Sequence, residues 1–391
     1  MVQNINKTFI SNADIELSSQ TGTRTCSYHI CNPKKDNLIL VYIPGFGGDL
    51  GNYSHGLCEK IAETYDITTM TVEYFCYHSR PNVGGKISFS AFDIAHINSL
   101  ARHFFIDESE SINKKISLIN ESAKKNNTTS QIFAMIEPKN NEYQNFGLLP
   151  ALDIINAIND AILNFEMENS KIILIGSSYG GYIANMVEKI APGLVNAIID
   201  NSSWSSPNMK YLIGRELNNT EFRQQLSSNI IMDLYVKSPW TLTKGLPNTL
   251  SKSRIQIRSF DPDQLSQMIN QGGGQCLYVF YHYINDNIAP AKDKLEMILL
   301  LQQHNKDKIT CRILKNKNDI DGVLIKSLEH GLGMSMVELF KKHFPLIKDQ
   351  IKNQHRTLKT QYLCDDLIYL FNNSTLPVTV TIQSRSNKVS V

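Results

Sequence analysis

The chain has 391 residues, 42% apolar, 9% aromatic and 19% charged, and its 39 Lys+Arg against 37 Asp+Glu leave a formal net charge of +2. That is a globular composition with material for a large core. At roughly 150 residues per domain the length allows two or three units, or one large α/β domain carrying insertions. The small net charge excludes the chain-wide basic footprint of a nucleic-acid binder. Seven cysteines are odd in number and scattered, with no C-x-x-C pair, which argues against zinc or redox motifs and for reduced thiols in a cytoplasm. Met1 to Ile10 lacks a basic start and an apolar stretch, so no signal peptide is expected. No apolar run approaches the roughly 20 residues needed to span a bilayer.

In chain order, Lys7 to Ile30 reads as strands broken by a turn at 18 to 22, an antiparallel edge. Asn37 to Ile43 is an almost continuous apolar run closed by Pro44-Gly45 and Gly47-Gly48, as expected of a strand buried on both faces. A helix over Tyr53 to Tyr65 and a strand over Ile67 to Tyr74 complete a parallel strand-helix-strand unit. Leu148 to Phe165 places apolar residues at three- and four-residue steps, one face of a helix. Strands are then expected at Ile172 to Ile175, Val195 to Ile199, Cys276 to Tyr281 and Ile309 to Leu314. Helices are expected at about Tyr179 to Ile190, Lys292 to Gln303 and Met334 to His343. The fold class is α/β: a mostly parallel, doubly wound sheet with an antiparallel N-terminal edge and helices on both faces.

Two stretches break the alternation, about 80–144 and 202–274, both after strand ends, where substrate-facing insertions sit in such sheets. The division expected is a core of 1–201 and 275–350 with the insertion at about 80–144, a lid at 202–274, and a C-terminal extension at 351–391 with a late hairpin from Leu367 to Ile382.

The principal chemical signal is Gly176-Ser177-Ser178-Tyr179-Gly180, directly after an apolar strand and directly before an apolar helix. In that context G-x-S-x-G is a sharp turn that raises the central serine at the carboxyl edge of a sheet, and Gly176 and Gly180 avoid collision across it. The alternative is a Gly-rich strand-helix joint without chemistry. A serine hydroxyl at neutral pH needs a base, and the base a carboxylate to orient it. In this arrangement the chain order is Ser, acid, His.

Asp286 lies on a loop after the strand Cys276 to Tyr281 and before a Pro-led helix, which makes it the expected acid. Its alternative reading is a helix-start carboxylate, and Asp200 is the reserve. Four of the ten histidines follow the acid: His304, His330, His343 and His355. His304 and His343 fall in helical stretches on polar flanks, and His355 follows the last core helix. His330 lies in a loop between the last strand and the final helix, where it can reach the serine, and is the expected base. The oxyanion donors expected are the backbone N–H of Tyr179 and that of Phe46, within Pro44-Gly45-Phe46-Gly47-Gly48. No Gly-Lys-Ser/Thr ending follows those glycines, so a phosphate loop is excluded.

With these elements in order the sequence resembles an α/β-hydrolase over about residues 37 to 345. PGFGG at 44–48, EYQNFG at 142–147, LDIINA at 152–157, GSSYGG at 176–181, HYINDNIAP at 282–290 and SLEHG at 327–331 look like the bacterial family filed as domain of unknown function 2920. Genes of that family often stand beside those for flagellar and surface-sugar modification, which the resemblance implies and no residue here shows. Pro44 replaces the histidine that often precedes the glycines in lipase-type members.

The function expected is a cytoplasmic serine hydrolase that cleaves a carboxylic ester or amide through an acyl-enzyme on Ser178, with His330 as base and Asp286 as orienter. No metal or organic cofactor is expected. The expected partner is a small-molecule acyl ester or acylated sugar, with neither nucleic acid nor membrane span. The alternatives are an acyltransferase with the same triad, a peptidase, and a silent binding protein on a hydrolase fold.

Overall fold

A computed structural model describes residues 2–17, 22–48 and 50–385. The turn expected at 18–22 falls almost wholly outside them. The elements in chain order are β1 (Asn4–Asn12), β2 (Thr23–Cys31), β3 (Ile39–Ile43), α1 (Asn52–Tyr65), β4 (Thr68–Glu73), β5 (Lys86–Ser88), α2 (Ala91–His103), α3 (Ile112–Lys125), β6 (Ser130–Glu137), α4 (Leu148–Asn164), β7 (Ile172–Ser177) and α5 (Tyr179–Ile190). They continue with β8 (Ala197–Asn201), α6 (Met209–Ile213), β9 (Phe222–Ser227), β10 (Ile230–Val236), α7 (Lys252–Ile257), α8 (Pro262–Asn270), β11 (Leu277–Tyr283), α9 (Ala291–Asn305), β12 (Ile309–Leu314), α10 (Met336–Gln350), β13 (Lys359–Cys364), β14 (Leu367–Asn372) and β15 (Thr379–Ser384).

Two compact units result: residues 1–75, 145–207 and 250–391 in the first, and 76–144 with 208–249 in the second. In the first unit, eight strands among the described residues lie in the order β1-β2-β4-β3-β7-β8-β11-β12. β2 is antiparallel to both neighbours, and the pairs from β4 to β12 are parallel. The continuous apolar runs of β3 and β7 are buried on both faces, as a parallel sheet covered by helices demands. Alternate side chains, among them Leu40, Ile173, Ile199 and Val279, pack with Leu57 and Ile61 of α1 and Phe340 and Phe344 of α10. Burying each such side chain contributes roughly 1.5–3 kcal/mol. α5 packs on β7 and β8, with α4 beside it.

The final helix runs past the expected end at His343 to Gln350, carrying Pro345 inside it. His343 is buried rather than on a polar flank, and its Nε2 meets the Tyr281 hydroxyl at 2.9 Å.

The lid boundaries expected from sequence are corrected by the second unit. Its sheet, β5-β6-β10-β9, takes β5 and β6 from the first insertion and β9 and β10 from the other. β10 pairs with β6 in parallel from Ile230↔Ser130 to Val236↔Ile136. The two insertions therefore fold as one body, further joined by the Arg215–Asp93 ion pair at 2.9 Å and the Arg80–Glu221 pair at 2.8 Å. Residues 250–274 belong to the first unit because α7 and α8 dock on β13. Ser253 Oγ donates to the Cys364 carbonyl, and Gln264 Nε2 to that of Leu363 at 2.9 Å.

The late hairpin is present as β14–β15, with β13 added at its side. Rather than standing apart as an extension, this sheet is tied to the end of α5. Thr360 Oγ1 and Asn373 Nδ2 each donate to the Ile190 carbonyl at 2.9 Å.

Candidate active site

The site lies at the carboxyl ends of β7, β11 and β12, within the first unit. β7 ends at Ser177 and α5 begins at Tyr179, so Ser178 turns the chain in a single residue, at φ 56° and ψ −123°. Such a conformation is costly for any residue with a Cβ. Neighbours hold it in place: the Ser178 N–H donates to the Asn201 carbonyl at 2.7 Å, and the Tyr182 N–H to the Ser178 carbonyl at 3.2 Å. The turn admits no side chain two residues to either side. A Cβ on Gly176 would stand 2.3 Å from the Gly180 carbonyl carbon, and one on Gly180 would stand 1.9 Å from the Ile43 oxygen.

His330 comes from the loop between β12 and α10, and Asp286 from the loop between β11 and α9. Sequence separations of 152 and 44 residues close to hydrogen bonds: His330 Nε2 to Ser178 Oγ at 2.7 Å, and His330 Nδ1 to Asp286 Oδ2 at 2.7 Å. The other carboxylate oxygen of Asp286 accepts the N–H groups of Ile288 at 2.9 Å and Ala289 at 3.0 Å. Burial pushes the Asp286 carboxyl up, but the His330 bond and the two backbone donors more than offset it and hold it below the usual carboxylate range. An ionised acid fixes His330 with its proton on Nδ1, leaving Nε2 to accept from the serine.

The Pro44–Gly48 loop lies against the elbow. A Cβ on Gly45 would meet the Ser177 carbonyl at 2.9 Å and the Ser178 Cβ at 3.3 Å, so only glycine permits this approach. The loop is held by the Tyr74 hydroxyl on the Pro44 carbonyl at 2.8 Å and by a tight turn from the Gly48 N–H to the Gly45 carbonyl at 3.0 Å. Phe46 stacks on Tyr179 with ring centroids 4.1 Å apart. The two backbone groups expected to receive an oxyanion thus belong to neighbouring residues, one of them at the first position of α5.

The reserve acid is not brought to the base. The Asp200 carboxylate is engaged by Lys294 Nζ at 2.6 Å, Ser203 Oγ at 2.6 Å and Asn185 Nδ2 at 2.7 Å, a buried structural cluster. Nor are the competing histidines nearby in chemistry: His304 meets Gln275 at 2.9 Å, and His343 meets Tyr281.

Three supporting residues escaped sequence reasoning. Asn201 accepts from Ser178 through its carbonyl and donates from Nδ2 to the Gly331 carbonyl at 2.8 Å, tying the elbow to the histidine loop. His282 Nε2 meets the Ala289 carbonyl at 2.8 Å, and Trp204 Nε1 donates to that of Ile288 at 2.9 Å, so both brace the acid loop. Their one sequence signal is position, at or just past the ends of β8 and β11. Among the described residues no group of three or more His, Cys, Asp or Glu side chains is arranged to hold a metal ion. Among them, also, no helix is long and apolar enough to cross a membrane.

A sheet in this order, with a serine elbow after the fifth of its eight strands and acid and histidine loops after the seventh and eighth, defines the α/β-hydrolase fold. Within that class the chain belongs to the family described as Protein of unknown function (DUF2920), whose model matches residues 8–382. No curated protein matches it. Among solved structures it is similar to Pyrococcus horikoshii acylaminoacyl peptidase, with 13% identity and a TM-score of 0.47 over 90% of this chain, which spans 42% of the peptidase's length. It is also similar to an S-formylglutathione hydrolase from Agrobacterium tumefaciens, with 10% identity and a TM-score of 0.44 over 89% of this chain and 96% of that one. A peroxisomal α/β-hydrolase from Saccharomyces cerevisiae has 11% identity and a TM-score of 0.43 over 90% and 92% of the two chains.

Proposed function

We propose that this protein is a serine hydrolase that cleaves a carboxylic ester of a small molecule through an acyl-enzyme on Ser178. The observation that carries this reading is the continuous chain from Ser178 Oγ through both nitrogens of His330 to Asp286, with each link at 2.7 Å. In the first half-reaction Ser178 Oγ attacks the acyl carbon while His330 Nε2 takes its proton. The tetrahedral oxyanion is received by the Phe46 and Tyr179 N–H groups. Collapse breaks the bond to the leaving oxygen, which takes the proton from His330. Water then adds to the acyl carbon with His330 as base again, and the second collapse returns Ser178 and releases the acid. Each oxyanion donor is worth on the order of 3 kcal/mol of barrier.

A lid role is proposed for residues 76–144 and 208–249 on the position of both insertions after strand ends. Proteolytic nicking within these segments is expected to alter ester preference, and unchanged preference in the nicked enzyme refutes that role.

The test of the hydrolase reading is turnover of p-nitrophenyl acetate and of a panel of acetylated sugars by wild type and Ser178→Ala, with products analysed in the presence of sugar acceptors. Ser178-dependent release of free acid is expected. Acylated acceptor in place of acid makes the protein a transferase. A Ser178→Ala variant with wild-type turnover refutes the reading.

A further inference from the structure

Trp204 follows the end of β8 and is buried, 4% exposed. Its indole reaches the triad by two routes. Its ring lies 5.8 Å from that of His330, tilted by 41°. Its Nε1–H donates to the Ile288 carbonyl at 2.9 Å. That carbonyl and the N–H of Ala289 are the two ends of one peptide group, and the Ala289 N–H donates to Asp286 Oδ1 at 3.0 Å. The links therefore form a single file: indole N–H, peptide 288–289, Asp286, His330, Ser178. A donor on the oxygen of a peptide polarises it and strengthens the bond its own N–H makes. The neighbouring carbonyl, of Ala289, is held by His282 Nε2 at 2.8 Å, so the loop that bears the acid is fixed at two consecutive carbonyls. Phe46 and Phe146, with ring centroids 6.1 and 5.8 Å from the indole, fix its plane.

We infer that Trp204 is a positioning residue, which acts on Ser178 through the 288–289 peptide by orienting and stabilising the Asp286 carboxylate. This rests on the reading of Ser178, His330 and Asp286 as a working triad. Loss of the indole donor weakens the Ala289 N–H bond to Oδ1. Asp286 then has a higher proton affinity, binds the His330 Nδ1–H more strongly and favours the imidazolium. A base that is protonated more readily is inactive to higher pH, so the acid limb of reactivity moves upward. Displacement by about 1 Å costs on the order of 100-fold, and a relaxed but tethered loop is expected to lose about tenfold. Lys326 and Glu329 on the loop of His330, and His282 behind the acid loop, are common to all variants and leave the comparison unaffected.

The test reads the second-order rate of Ser178 labelling by a fluorophosphonate from pH 5 to 9, which requires no knowledge of the substrate. The proteins are wild type, Trp204→Phe, and Trp204→3-benzothienylalanine, an isostere in which sulfur replaces the N–H. Both variants are expected to fold by thermal melting, label about tenfold more slowly and shift the acid limb upward by a few tenths of a pH unit. The isostere keeps the packing, so a slow isostere assigns the effect to the donor even where the Phe variant is unstable. Wild-type rate and limb in the isostere, or a slower rate with an unmoved limb, overturn the inference. Absence of Ser178 labelling in folded wild type overturns the functional reading itself, and this inference with it.

Discussion

The strained elbow leads to a prediction about stability at the position of the serine. Ser178 sits at φ 56° and ψ −123°, a region whose occupation by a residue with a Cβ costs on the order of 1–3 kcal/mol. Glycine adopts it without collision, though its unfolded chain has more freedom to lose, about 0.5–1 kcal/mol relative to alanine. Ser178→Gly and Ser178→Ala both lose the Oγ bond to His330, so their difference isolates the Cβ. The Gly variant is expected to be more stable than the Ala variant by about 1 kcal/mol, or about 1–2 °C in midpoint for a body of this size. Both are inactive. Thermal and urea unfolding of the pair provide the measurement, with unchanged urea slopes as the condition for comparison. A Gly variant that melts at or below the Ala variant refutes the claim that backbone strain is stored at the nucleophile.

Other variants test neighbouring parts of the account. Gly180→Ala places a Cβ 1.9 Å from the Ile43 carbonyl oxygen, backbone against backbone, and is expected to cost more than the roughly 1–3 kcal/mol of ordinary overpacking; normal soluble yield and melting refute this. Asp286→Asn leaves His330 without its anionic partner, and a loss in kcat on the order of 10⁴-fold is expected, read in the ester assay with folding checked by circular dichroism. Burial raises the Glu188 carboxyl to about 8. A group raised in the fold favours the fold below its unfolded pKa of about 4.3, and that advantage is lost as pH climbs towards 8. Glu188→Gln is therefore expected to gain midpoint over wild type progressively between pH 5 and 8, and a pH-independent difference contradicts the assignment.

The core of the fold was legible because its signals are local. β3 and β7 are apolar runs closed by glycines, α5 begins one residue after the serine, and the boundaries expected for Tyr179–Ile190 and Ile309–Leu314 match the elements observed. The grouping of Ser178, His330 and Asp286 was legible for a different reason. Chain order and loop position leave Asp286 and His330 as the candidates, and the hydrogen bonds that bring the three together span 44 residues from Asp286 to His330 and 152 from Ser178 to His330. The second unit was not legible. Its defining contact is the parallel pairing of β6 with β10, about a hundred residues apart, and neither strand's pattern names its partner. For the same reason residues 250–274 read as part of a lid. Their attachment to β13 depends on side-chain bonds from Ser253 and Gln264 to backbone carbonyls more than 95 residues away. The part played by Trp204 was not legible, since nothing in a sequence reveals that its indole N–H meets the carbonyl of a peptide whose N–H holds the acid.

The most direct test of the central claim is fluorophosphonate labelling of the full chain, with the modified residue mapped by mass spectrometry in wild type, Ser178→Ala and His330→Ala. An activated nucleophile predicts a single modification on Ser178 that is abolished in the first variant and slowed by orders of magnitude in the second. Modification of another residue, or labelling of Ser178 that persists at the wild-type rate without His330, contradicts it.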